Sequence, residues 1–148
     1  MNQLVKSMRR GALGVALAAT MLLPACGGGD PVVAFVPTRV LAFGDENSVI
    51  DGSGRKFTVN ALKTDSVGAT TVDCNANTIW VQRLASSYGL VFPDCNPNDV
   101  PDPRSRIYAA AGAKVADLTA QIDQHLATDT FSGRDLVTLM VGQNDVLE

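Results

Sequence analysis

The stretch RVLAFGDENSVI, residues 39–50, decides how the rest of the chain is read. Val40, Leu41, Ala42 and Phe43 form an unbroken apolar run of the length expected for a strand covered on both faces, and Gly44 and Asp45 end it abruptly. A second stretch, DLVTLMVGQND at residues 135–145, repeats the form: an apolar run closed by a glycine and a cluster of polar side chains. In open α/β sheets, chemistry collects at the carboxyl ends of such strands, so two ends of this kind predict one site.

Between them the pattern alternates. Ile79, Trp80, Arg83, Leu84 and Ser87 recur at helical spacing, with Asn77 as the expected N-cap and Gly89 as the stop. Arg106 to Ala110 reads as a short strand. Val115, Leu118, Ile122 and Leu126 set the apolar stripe of a helix over residues 113–127. The order strand, helix, strand, helix, strand predicts an α/β fold with a parallel sheet of about three strands. Residues 51–77 are rich in Gly, Ser, Thr, Asp and Asn and read as a long loop carrying at most an edge strand. Pro93, Pro97, Pro101 and Pro103 make residues 93–103 a surface loop.

These blocks resemble the SGNH, or GDSL-type, hydrolases, a family of esterases and lipases with a flavodoxin-like α/β/α fold. The family's first block is an apolar strand followed by Gly-Asp-Ser, with the serine as nucleophile; Gly44 and Asp45 match, and Glu46 stands at the nucleophile position. In YAAAGAKVADL, residues 108–118, Gly112 matches the glycine whose N–H helps form the oxyanion hole. The third block, Gly-x-Asn-Asp, is met by Gly142, Gln143, Asn144 and Asp145, and the resemblance makes the Asn144 amide a further oxyanion donor.

A carboxylic ester is the substrate class that the resemblance implies, with no cofactor. Glu46 departs from the pattern at the reacting atom, and Ser48 is the nearest substitute hydroxyl. A shift of two places in a tight turn moves a side chain by several ångströms, and about 1 Å of misplacement can cost around 10²-fold in rate. The simplest account of Glu46 is a solvated capping carboxylate at a helix start. His125, the single histidine, falls inside the second helix and reads as a surface side chain near the helix C-terminus. The family's Asp-x-x-His block is absent up to Glu148, so residues 39–148 are expected to be the N-terminal part of such a domain, an incomplete flavodoxin-like α/β/α unit lacking what catalysis needs. The alternative is a non-catalytic envelope lipoprotein that keeps the fold for binding or structure.

The chain has 148 residues, 46% hydrophobic and 18% charged, with a formal net charge of −3. That composition suits one globular domain and offers no basic tract for nucleic acid. Residues 1–25 have the parts of an export signal: Lys6, Arg9 and Arg10, then an apolar core from Gly11 to Leu23 too short for an ordinary membrane-spanning helix. The ending Leu23-Pro24-Ala25-Cys26 resembles a bacterial lipobox, which implies a lipid anchor on Cys26; Gly27 after it favours the outer membrane. A plain secretory signal cleaved near Ala25 is the other reading. Residues 26–38 are then a flexible linker.

Export leaves Cys74 and Cys95, an even count in an oxidising compartment, for which a disulfide is the default expectation. Two free or metal-binding thiols are the alternative, and no His or Cys stands at zinc-ligand spacing from either, so no metal is expected.

Overall fold

The computed structural model describes residues 33–147. The expected export signal and lipidated Cys26 fall outside them, as does most of the expected linker. The architecture is α/β. Strand β1 (Arg39–Gly44) is buried along its whole length, as its apolar run requires. It is the central strand of a parallel sheet of order β4-β1-β5, flanked by β4 (Arg106–Ile107) and β5 (Asp135–Met140). Arg39 pairs with Asp135 and Gly44 with Met140, while Leu41 pairs with Arg106. Taken by chain position the parallel strands stand second, first, third, the order that opens a flavodoxin-like sheet.

Alternate residues of β1 serve different layers. Val40 and Ala42 join Ile79, Val81, Ala85 and Phe92 in one apolar cluster, which seats helix α1 (Trp80–Ser87). On the other face Phe43 stacks on Tyr108 at 5.1 Å between ring centroids, with His125 and Phe131 against the same ring. This aromatic group seats helix α2 (Leu118–Leu126).

Several local expectations are corrected. Residues 51–77 hold a two-stranded antiparallel hairpin, β2 (Ala61–Thr64) with β3 (Thr70–Asp73), not a single edge strand. Its turn is set by Asp65, whose Oδ1 accepts from the N–H groups of Val67 and Ala69, each at 2.9 Å. Asn77 is not the N-cap of α1: it sits at φ +51°, and the N-cap is Ile79, whose N–H donates to Gln82 Oε1 at 3.0 Å. Gly89, at φ +69°, ends the helix as predicted.

Helix α2 is rotated from its expected seating. Its N-terminal part is a 3₁₀ turn (Val115–Asp117), and the residues it buries are Gln121 and His125, while Val115 and Leu126 stay 54% and 50% exposed. Hydrogen bonding accounts for the rotation. Gln121 Oε1 accepts from the Gly44 N–H at 2.7 Å and its Nε2 donates to the Gly44 carbonyl at 2.8 Å. His125, fully buried rather than at the surface, places Nδ1 2.9 Å from the Tyr108 hydroxyl. Two polar side chains with tertiary partners thus outrank an apolar stripe that finds only partial cover.

Two polar networks and a disulfide hold the rest. Arg39 Nε donates to Asp135 Oδ1 at 2.7 Å, and its other nitrogens reach Asp129, the Thr130 carbonyl and Asp135 Oδ2. The hydrogen bonds with Asp135 raise the Arg39 pKa above its ordinary value and lower that of Asp135 far below the usual carboxylate range, each against the opposing effect of burial. Buried Lys56 donates from Nζ to the carbonyls of Cys74, Ala76 and Asn77, fixing the segment that carries Cys74. Cys74 and Cys95 are joined in a disulfide with Cα atoms 5.6 Å apart, tying that segment to the proline-rich loop.

Candidate functional site

The site forms where β1 and β5 end side by side. Gly44 has φ +129°, and a Cβ there would lie 1.8 Å from the Met140 carbonyl oxygen, so any side chain would force the two strand ends apart. The Asp45 N–H then donates to that Met140 oxygen at 2.8 Å. Asp45, itself buried, caps a 3₁₀ turn (Glu46–Ser48): its Oδ1 accepts from the N–H of Asn47 at 3.0 Å and from Asn47 Nδ2 at 2.9 Å. Asn47 Nδ2 also donates to Gln143 Oε1 at 3.0 Å, which latches the first turn to helix α3 (Gln143–Leu147).

This turn directs Glu46 inward. The side chain is 5% exposed, and Oε2 accepts from the Gly112 N–H and from Asn144 Nδ2, each at 2.9 Å. The solvated-cap expectation for Glu46 is therefore corrected: the carboxylate is buried and bound. Asn144 contributes most to lowering its pKa below the ordinary 4.5, followed by the Gly112 N–H and the N–H of Glu46 itself, against the opposing effect of burial. Two donors from segments 66 and 98 positions away converge on one carboxylate oxygen.

The donors are themselves positioned. Gly112 sits at φ +76° after the segment in which the Tyr108 N–H donates to the Ala42 carbonyl and the Ala110 N–H to that of Gly44. Asn144 Nδ2 also donates to the Ala113 carbonyl at 3.1 Å, and Asp145 Oδ2 accepts from the Val115 N–H at 3.0 Å. Gly142, at φ +116°, makes the bend between β5 and α3. A hollow of about 360 Å³ lies beside Gly112, between Tyr108 and α2.

Gly44, Asp45, Glu46, Gly112, Asn144 and Asp145 thus meet in one place. Ser48 does not join them: it is fully buried, and its Oγ has no hydrogen-bond partner. His125 is committed to Tyr108 within the aromatic group, whereas the hydrogen bonds that hold Glu46 come from Gly112 and Asn144. Among the described residues no group of three His, Cys, Asp or Glu side chains is placed to hold a metal ion, and no helix is long and apolar enough to cross a membrane. Sequence reading missed Gln121, which closes both backbone groups of Gly44. Its signal was the spacing of four between Gln121 and His125, which puts two polar side chains on one helix face.

Comparison with protein-family models, with curated proteins and with solved structures finds no match for this chain.

Proposed function

We infer that this chain is an exported lipoprotein of the SGNH/GDSL hydrolase type whose ester-cleaving site is closed by its own Glu46, and that it serves the cell envelope by binding or structure rather than by hydrolysis. The observation that carries the reading is the convergence of the Gly112 N–H and Asn144 Nδ2 on one oxygen of Glu46. In the resembled family these two groups receive the oxygen on which negative charge develops during acyl transfer. Glutamate carries its oxygen two bonds further from the backbone than serine does. At position 46 that extra reach brings the carboxylate into the space the substrate's carbonyl oxygen would need, and its charge repels a second anionic oxygen. The donors are preorganised, and their occupant is internal.

The same convergence supports a second reading, in which carboxylic ester hydrolysis belongs to a longer form that supplies a base and a hydroxyl. A donor set already aligned on an anionic oxygen is the part of such a site that is hardest to build. Turnover of a short-chain p-nitrophenyl ester separates the readings: a version extended through an Asp-x-x-His block that keeps Glu46 stays at background under the first and hydrolyses the ester under the second. The unmodified chain and Glu46→Ser are both expected at background, because removal of a triad member leaves only residual catalysis from the oxyanion donors and binding. Glu46→Ser in a version extended through an Asp-x-x-His block is expected to turn on. Hydrolysis by the unmodified chain that Ser48→Ala abolishes would overturn the inference.

A further inference from the structure

A second feature lies at the opposite end of the sheet. It opens beside the first half of β1, where Leu41 pairs with Arg106, five positions before Glu46. In the extended segment entering β4, Arg104, Arg106 and Tyr108 alternate with Ser105 and Ile107, and residues two apart share a face. Ser105 is buried, its Oγ accepting from the Val40 N–H at 3.0 Å, while Arg104 and Arg106 are exposed. Within the described residues β4 pairs only with β1, so no strand covers its other side. Arg104, Arg106 and Tyr108 line a cleft of about 390 Å³, closed by Arg39, Thr128 and Asp129 and rimmed by Asp102.

The charges in this cleft do not cancel internally. Arg39 is spent on Asp135 and Asp129. Arg106 donates from one terminal nitrogen to the carbonyls of Pro103 and Ser105, which leaves its other donors unused. The Arg104 guanidinium makes no hydrogen bond or ion pair with any described residue, and neither does the Asp102 carboxylate. Two guanidinium groups with open donors therefore share the cleft with one unpaired carboxylate, Asp102, and with Asp129, which Arg39 neutralises, in a chain whose net charge is −3. Guanidinium forks match phosphate oxygens two at a time, and the volume falls within the range of small-ligand sites.

We propose that this cleft binds a phosphate group through Arg104 and Arg106, with Asp102 accepting from a hydroxyl carried beside the phosphate. Asp102 repels the phosphate of either probe alike, so what favours a phosphoester is a hydroxyl on its alcohol that can donate to Asp102. The site is independent of Glu46 and of the function inferred from it.

The test is an NMR titration of the purified protein at constant ionic strength, following the amide and Arg Nε–H signals with inorganic phosphate and with glycerol phosphate as probes. Saturable shifts at Arg104 and Arg106 are expected with both, tighter for glycerol phosphate. Affinity should fall by at least about tenfold in Arg104→Ala/Arg106→Ala and stay unchanged in Arg55→Ala, which lies outside the cleft. The unperturbed remainder of the spectrum checks that the double variant is folded. Shifts that fail to saturate with either probe, or an affinity that the double substitution leaves unchanged, would overturn the proposal. Saturation with inorganic phosphate alone would overturn the role given to Asp102.

Discussion

Asn144 Nδ2 donates to Glu46 Oε2 at 2.9 Å across 98 positions of sequence, joining the turn after β1 to the helix after β5. A hydrogen bond to a buried charge is worth roughly 1.5–3 kcal/mol, so Asn144→Ala is expected to lower unfolding stability by that amount in urea at pH 7.

The same contact makes stability depend on pH. The donors hold the Glu46 pKa below 4.5, so the folded chain binds a proton there less readily than the unfolded chain does. That contribution is complete above the unfolded value and is lost as the pH falls through the folded one. Glu46→Gln should therefore flatten the acid limb of the stability curve below about pH 5, and an acid limb as steep as that of the unmodified chain would count against the contact.

Arg39 and Asp135 open adjacent strands and are bound by two hydrogen bonds, at 2.7 and 2.9 Å. Removing Arg39 strands the buried Asp135 charge, at a cost of about 3–5 kcal/mol, whereas removing Asp135 leaves Arg39 paired with Asp129 and the Thr130 carbonyl. Arg39→Met should show this loss in chemical denaturation, Asp135→Leu a smaller one, and the double variant should recover most of the Arg39→Met loss. Additive losses would mean that the pair is not coupled.

The bridge between Cys74 and Cys95 spans 21 residues, for which chain entropy predicts about 3 kcal/mol. Cys74→Ser/Cys95→Ser should lose stability on that scale, with the largest rise in amide exchange in the hairpin and the proline-rich loop. Two thiols open to alkylation in protein taken from the periplasm would contradict the bridge.

Sequence reading reached the sheet through its apolar runs and the site through its glycines. Burial on both faces leaves β1 no polar residue between Val40 and Phe43, and the close approach of Gly44 to Met140 admits no side chain. Gly112 and Asn144 were legible as donors. The group they bind was not, because no local pattern says which way the turn at Asp45 aims Glu46. Periodicity also failed at α2, since it counts apolar side chains. Gln121 is buried for the sake of Gly44, 77 positions away, and His125 for Tyr108, 17 positions away. The second hairpin strand escaped because β2 and β3 are largely exposed and carry no apolar alternation.

The anchor reading rests on the charged start, the short apolar core and the Leu-Pro-Ala-Cys ending. In a Gram-negative host the chain should incorporate labelled palmitate, and Cys26→Ser should abolish the label. Labelling that survives that substitution would rule out the lipobox.

The central claim is that the donors on Gly112 and Asn144 are occupied by the Glu46 carboxylate. Titration of the Glu46 side-chain carboxyl carbon by NMR tests it most directly, in the unmodified chain and in Asn144→Ala. The account predicts a midpoint below 4.5 that moves upward when Asn144 is removed, since Asn144 contributes most to the depression. A midpoint at or above 4.5 that is indifferent to Asn144 would mean that the carboxylate is not held there.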